Sequence, residues 1–469
     1  MSSKYSYLSK NMFLFTVGSF MPKVLQFFLV PLYTNCLSPE EYGLADLISV
    51  TVTLLIPIFT LGIQDAVLRF SLDGSYRDED VFSTAIKIIW SGFIIVVLGT
   101  LAVSKCYSGA PDGKWLNYFL LQYIVSALQN SVFMFCRGTD RVGIMVTGGV
   151  LNSVVTLFLN ILLLTVLDLG LDGFLLANLV GTLAALLYCV LKGKLYRYVV
   201  LRTQSSVFRD MTVFSFPLIF NVLAWWINNA SDRYILTWIS GVAASGIYAV
   251  AYKIPNILSV FQSIFYQAWS ISAVKEFDRD DTDGFIGNVY TLMSFSMSAA
   301  CSGLLILNVP ISGFLYGDAF LDAWKYAPPL LLSVVFNAMS LFIGGIFTAV
   351  KDTKTLATTT IFGAVFNTVL NFILIPRFSA YGAAIATLAG YIAVWIMRYG
   401  ILRKHIRIRI NLLREMAVSL LLIVQMVLAF RGTTYVIGQI LIFLMIIWLY
   451  RSQVLTLLGS VMHHKRYNK

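Results

Sequence analysis

Apolar residues run in blocks of roughly twenty, parted by short polar turns, from near residue 11 to near residue 450. A bilayer core about 30 Å thick takes roughly 20 helical residues per crossing. On that measure the chain divides into fourteen spans: 11–36, 42–68, 82–103, 115–135, 144–166, 172–192, 211–238, 243–274, 285–308, 326–349, 356–376, 382–402, 414–430 and 434–450. The pattern predicts an all-α polytopic membrane protein of about 14 transmembrane helices. The first stretch is too long for a signal-peptide core and has no Ala-x-Ala-like cleavage site after it, so it is expected to remain as helix one. The last two spans are short and separated by little more than Gly432 and Thr433, which leaves a tilted hairpin or a re-entrant pair open.

The spans repeat. Gly173-Phe-Leu-Leu-Ala177-Asn-Leu-Val-Gly181-Thr in the sixth span matches Gly382-Ala-Ala-Ile-Ala386-Thr-Leu-Ala-Gly390-Tyr in the twelfth. Leu159-Asn160-Ile-Leu-Leu matches Leu370-Asn371-Phe-Ile-Leu, and Gly138-Thr-Asp140-Arg141 matches Lys351-Asp352-Thr-Lys354. Glu41-Tyr-Gly43-Leu-Ala-Asp46-Leu matches Ser245-Gly246-Ile-Tyr248-Ala-Val-Ala. Recurrence of small residues for helix packing explains any one match, but their common order in both halves favours duplication. The expected organisation is an N-terminal lobe (1–193), a cytoplasmic basic linker (194–210), a C-terminal lobe (211–403), and an extra helix pair with a basic tail (404–469). Two pseudo-symmetric six-helix lobes in a membrane are the plan of a transporter that binds at the repeat interface and alternates access.

Composition agrees with the span count: 58% of residues are hydrophobic and 12% charged, against roughly 25% charged in soluble domains. The net charge of +11 would suggest nucleic acid in a soluble protein, yet its distribution points elsewhere. With the N-terminus inside, about 24 of the 34 Lys and Arg fall in the termini and even-numbered loops and about 5 in the opposite loops, a positive-inside pattern. It places both termini in the cytoplasm and excludes a nucleic-acid partner. Cys36, Cys106, Cys136, Cys189 and Cys301 are scattered without CxxC spacing, and the histidines are His405, His463 and His464. Neither a metal site nor a cofactor follows. No Walker loop, HExxH or Gly-x-Ser-x-Gly appears, so no catalytic residue is expected.

Charges at mid-membrane cost at least roughly 2.5–3.5 kcal/mol on insertion scales and need a partner, a cavity or a route to the interface. Lys23 lies about 18 Å along span one and Lys253 about 15 Å along span eight, both near the centre. One ammonium per lobe fits a shared anionic ligand; pairing with a local carboxylate or carbonyl is the alternative. Gln26 and the pair Asn228 and Asn229 lie at similar depth and either line the same cavity or bond between helices. Arg233, beside Asp232 in the outer third of span seven, is a third cationic candidate. Asp65 and Arg69 have i,i+4 spacing and read as a local ion pair, with Arg69 also placed to meet a phosphate from the inner leaflet. Pro22, Pro31, Pro57, Pro217 and Pro255 interrupt the helices that hold these charges.

Pro31-Leu-Tyr-Thr-Asn-Cys-Leu-Ser-Pro-Glu-Glu41-Tyr-Gly43-Leu-Ala-Asp-Leu, then Leu61-Gly-Ile-Gln-Asp-Ala-Val-Leu-Arg69-Phe, resembles the opening of the polysaccharide biosynthesis family of flippases. So does Asn367-Thr-Val-Leu-Asn-Phe-Ile-Leu-Ile-Pro376 running into Tyr381-Gly-Ala-Ala-Ile-Ala-Thr-Leu. The family lies in the multidrug/oligosaccharidyl-lipid/polysaccharide exporter superfamily. The resemblance implies a V-shaped pair of six-helix bundles that moves a polyprenyl-pyrophosphate-linked oligosaccharide across the bacterial cytoplasmic membrane for surface polysaccharide synthesis. Its implied partners are an undecaprenyl-pyrophosphate-type glycolipid, membrane lipids, and a polysaccharide polymerase or glycosyltransferases. A diphosphate needs cationic contacts, for which Lys23, Lys253, Arg233 and Arg69 stand, with Gln26 and Asn229 beside them; Trp225, Trp226, Tyr234 and Tyr252 are the candidate aromatics. Spans thirteen and fourteen depart from the twelve of many relatives. An ion-coupled multidrug-type exporter would want carboxylates at the centre. A membrane sugar polymerase or ligase would want a larger external loop.

Overall fold

The computed structural model describes residues 25–106, 113–275, 277–403, 406 and 410–451. Among these residues there are helices and no strand, as expected where a bilayer core offers no water to unpaired backbone groups. Eleven helical segments among the described residues are long and apolar enough to cross a membrane, and one of them holds two crossings. The protein is a multi-pass membrane protein.

The helices are α1 (Val30–Cys36), α2 (Pro39–Phe59), α3 (Ile63–Asp73), α4 (Asp78–Cys106), α5 (Gly113–Gly138), α6 (Val142–Ile161), α7 (Gly170–Lys192), α8 (Ser205–Ser240), α9 (Val242–Ala251), α10 (Lys253–Lys275), α11 (Phe285–Leu315), α12 (Ala327–Ala349), α13 (Thr353–Leu402), α14 (Leu412–Ala429) and α15 (Val436–Leu449). They form two compact units, Met1–Trp226 and Ile227–Lys469.

Local chemistry explains the boundaries. Ser38-Pro-Glu-Glu41 is a capping box: the Glu41 N–H donates to Ser38 Oγ at 3.2 Å, and the Ser38 N–H donates to Glu41 Oε2 at 2.8 Å. Two orphan donors are thereby satisfied, and Pro39 sits where a missing N–H costs nothing. At 50 residues α13 would extend about 75 Å if straight, far more than a bilayer. It breaks at Ser379 (φ 49°, ψ −132°), three residues after Pro376, so the expected spans eleven and twelve emerge as its two halves.

Two expected spans come out differently. Span two, read as continuous to residue 68, ends at Phe59; Leu61 and Gly62 take positive φ, and a separate short helix, α3, follows. Span eight, read as one helix, is broken between Ala251 and Lys253. Pro255 explains the second break, since it can give no N–H to the Ala251 carbonyl one turn back and its ring crowds that carbonyl.

In the first unit, α6 and α7 pack closely because glycines leave room. A Cβ at Gly181 would lie 2.0 Å from Thr156 Oγ1, and one at Gly148 would lie 2.6 Å from Cys189 Sγ. The repeat glycines do matching work in the second unit, where Gly390 meets Asn367 and a Cβ at Gly382 would lie 2.5 Å from the Leu374 carbonyl. The basic loop expected as a linker is fastened to the first unit. Lys87 Nζ donates to the Leu201 carbonyl (2.8 Å) and Thr203 Oγ1 (2.9 Å), Arg141 donates to the Gly193 carbonyl (2.8 Å), and Tyr76 donates to Asp210 (3.0 Å).

The pair α14 and α15 is pinned to α11 by buried polar groups. Glu415, fully buried, accepts from Ser294 Oγ and from the Tyr450 hydroxyl (3.0 and 3.1 Å), while Arg414 reaches Thr291 (3.2 Å) and lies over the Tyr450 ring. About two turns further along α11, Ser302 Oγ donates to Gln425 Oε1 (2.6 Å), and Gln425 Nε2 returns a bond to the Ser302 carbonyl (3.0 Å).

Candidate functional site

The second unit carries a charged cluster at the broken span. Asp232 on α8 is 2% exposed. Its Oδ2 accepts from the Tyr248 hydroxyl at 2.7 Å and the Tyr252 hydroxyl at 3.3 Å, and its Oδ1 from the Arg233 backbone N–H at 2.9 Å. Three donors of this kind satisfy a carboxylate in a place where an unpartnered one would be expensive. The Arg233 guanidinium lies 5.3 Å from the centre of the Tyr252 ring, a cation–π distance. Lys253 follows directly, half-buried at the first position of α10. The helix break therefore makes Lys253 the residue that follows the tyrosine against which the Arg233 guanidinium lies.

Of the expected site residues, then, Arg233 and Lys253 share one cluster. Lys23 lies outside the described residues, and the side chain of Asn229, like those of Asn228 and Trp225, is also outside them. Arg69 is exposed on α3 and pairs with Asp73 at 3.5 Å. Asp65 keeps its place one turn before Arg69 in the same helix, and the guanidinium pairs instead with Asp73 one turn after it. Trp226 donates its indole N–H to the Val50 carbonyl at 3.2 Å, a packing role within the first unit.

Gln26 lines a cavity of about 430 Å³ inside the first unit. The stripe Gly149, Asn152, Ser153 and Thr156 occupies one face of α6, with spacing i, i+3, i+4, i+7, and faces Asn178 and Thr182 from α7 and Gln122 and Tyr118 from α5. None of the described lining residues is charged. No linear spacing ties Gln122, Asn152 and Asn178 together, so sequence reasoning passed over them. The available signal was a carboxamide in each of three apolar spans.

Arg398 on α13 was also missed. It is a buried cation whose donors reach Thr359 Oγ1 (3.0 Å), the Ser340 carbonyl (2.8 Å) and Thr360 Oγ1 (2.9 Å). The threonine bonds tie the two halves of α13 together and the Ser340 bond ties α13 to α12, which gives Arg398 a structural role.

Residues 8–270 match the sequence model of the family described as "Polysaccharide biosynthesis protein". The chain is 22% identical over 400 residues to a Haloferax volcanii protein named "Probable low-salt glycan biosynthesis flippase Agl15", covering 82% of this chain and 81% of that one. It is 22% identical over 467 residues to the lipid II flippase MurJ of Bacillus subtilis, covering 86% and 84%. In fold it is similar to a solved lipid II flippase MurJ in the inward closed conformation, with a TM-score of 0.71 at 14% identity over 94% of this chain and 100% of that one. It is also similar to an inward-facing multidrug resistance MATE family transporter, with a TM-score of 0.63 at 13% identity over 85% and 95%. These relatives are named as flippases and transporters rather than as enzymes, in keeping with a chain in which no catalytic motif was found.

Proposed function

Since this chain belongs to the polysaccharide biosynthesis protein family, whose model matches residues 8–270, we propose that it is a flippase for a polyprenyl-pyrophosphate-linked oligosaccharide. The carrier is of the undecaprenyl type, the membrane is the bacterial cytoplasmic membrane, and both termini lie in the cytoplasm, as the loop charges favour. The product glycan passes to a polysaccharide polymerase or to glycosyltransferases outside. Transport proceeds by alternating access of the two lobes.

The observation that carries this reading is the Arg233 guanidinium against Tyr252, with Lys253 the next residue in the chain, at the break in span eight. A pyrophosphate crossing an apolar bundle needs fixed cations, and charge-assisted hydrogen bonds to phosphate are about twice as strong as neutral ones. Asp232 accepts from two tyrosine hydroxyls and the Arg233 backbone N–H, which fixes the tyrosine against which the guanidinium lies. Lys23 supplies the corresponding cation from the first lobe, and Arg69, exposed on α3, meets the headgroup at the inner leaflet. Gln26 and Asn229 add neutral hydrogen bonds. An ion-coupled exporter of cationic drugs would invert this electrostatics, with carboxylates facing the cargo.

Deletion of the gene in its host tests the reading. Full-length lipid-linked oligosaccharide is expected to accumulate on the cytoplasmic face. Single units exposed on the outer face and left unpolymerised would instead identify a polymerase.

A further inference from the structure

The loop between α7 and α8 folds back along α4. Ser83 Oγ donates to the Tyr198 carbonyl (2.8 Å) and accepts from the Val200 N–H (2.7 Å), while Lys87 Nζ donates to the Leu201 carbonyl (2.8 Å) and to Thr203 Oγ1 (2.9 Å). Lys87 stands about two and a half turns into α4, so the loop reaches about 13 Å along the helix from its start at Asp78. It is also the last charge before the uncharged stretch 88–104, which covers about 25 Å of helix and so most of an apolar core. The loop is therefore fastened at the edge of the apolar core, at headgroup depth.

What it presents there suits lipid better than water. Leu201 is 92% exposed, and Arg202, which lies in sequence between the two acceptors of the Lys87 ammonium, is exposed as well. An ammonium has three donors, of which the loop takes two. Among the described residues neither Lys87 nor Arg202 is ion-paired. Asp210, the one carboxylate of the loop, accepts from Tyr76. The acidic run at the start of α4 is also engaged, since Glu79 pairs with Arg77 at 3.6 Å and Asp80 is buried.

The same face of α4 continues into the apolar stretch. Trp90, Ile94, Leu98 and Leu101 stand at i+3, i+7, i+11 and i+14 from Lys87, which puts them on one side of the helix, and all four are exposed. Cations at the headgroup level, an indole next to them and an apolar stripe beyond follow the order of a phospholipid: charged head, glycerol, acyl chain. We propose that this face of α4 and the returning loop hold an anionic phospholipid of the phosphatidylglycerol class. Its phosphate lies on Lys87 and Arg202, its glycerol region at Trp90, and an acyl chain along Ile94, Leu98 and Leu101. That the leaflet is the cytoplasmic one rests on the topology of the flippase reading; the chemistry of the site does not.

Native mass spectrometry of the purified full chain, titrated with phosphatidylglycerol and with phosphatidylcholine of the same acyl chains, tests it. Phosphatidylglycerol is expected to bind about tenfold more tightly or better, since each basic residue at an anionic headgroup contributes roughly fivefold. Arg202→Gln removes an exposed charge, and Lys87→Gln keeps amide donors for the loop; each is expected to weaken phosphatidylglycerol binding about fivefold. Arg279→Gln, at an exposed position in the second unit, removes the same charge elsewhere and is expected to leave binding unchanged. Equal binding of the two lipids, unchanged affinity in the Lys87/Arg202 double variant, or an equal loss in Arg279→Gln overturns the proposal. So does displacement of the lipid by millimolar inorganic phosphate, which would show an anion site with no place for acyl chains. Selective phosphatidylglycerol binding by a chain whose deletion accumulates no lipid-linked oligosaccharide removes only the flippase reading; the reverse outcome removes only the lipid site.

Discussion

Replacing Arg233 and Lys253 together by alanine is expected to abolish complementation of a host lacking the chain, with the protein still present in the membrane. Each substitution removes a cation able to bond a phosphate oxygen, and hydrogen bonds to charged groups contribute about 1.5–3 kcal/mol apiece. Losing both lowers carrier affinity by roughly 100-fold to 10,000-fold. The fold is expected to persist, because Asp232 keeps the hydroxyls of Tyr248 and Tyr252 and the Arg233 backbone N–H is untouched. Lys23→Ala is expected to act like either single variant. Arg69→Ala is the exposed comparison: its pair with Asp73 is of a kind worth at most about 1 kcal/mol, and the variant is expected to retain most activity. Full activity in the Arg233/Lys253 double variant would remove the cationic site.

The largest effect on stability is expected at Glu415→Ala. The substitution strips the partner from the Ser294 and Tyr450 hydroxyls and leaves Arg414, only 11% exposed, without its carboxylate. Breaking a buried pair by removing one member costs about 3–5 kcal/mol. Because these groups pin α14 and α15 to α11, the loss falls on the extra helix pair. The check is the apparent unfolding temperature of the detergent-solubilised chain: a marked drop for Glu415→Ala, a smaller one for Glu415→Gln, which keeps an acceptor. A wild-type value for Glu415→Ala would show that the pair is held by apolar packing alone.

How far these features could be read in the sequence depends on what sets them. The bilayer forces long apolar helices, so all-α class and most span positions follow from hydropathy. The glycine repeat marks real close approaches, at Gly181 on Thr156 and at Gly382 on Leu374. Breaks are harder. Pro255 was visible, but that it would separate Ala251 from Lys253 and set Lys253 at a helix start needs the structure, and the Leu61–Gly62 break depends on positive φ angles that hydropathy does not report. The site was legible only in its charges. Asp232 was seen as a neighbour of Arg233, whereas its hydroxyl donors come from Tyr248 and Tyr252 on and after another helix. Gln122, Asn152 and Asn178 meet through tertiary packing that no spacing encodes. Glu415 stands at the edge of an apolar span, and its partners stand 121 and 35 residues away.

The most direct test of the whole account is flipping in proteoliposomes that contain only this chain and an undecaprenyl-pyrophosphate-linked oligosaccharide purified from the host. Accessibility of the sugar to an added glycosidase reports which leaflet it occupies. The account predicts that the protected fraction disappears in vesicles carrying the wild-type chain and persists in those carrying the Arg233/Lys253 double alanine variant. Protection that persists equally with the wild-type chain would contradict it.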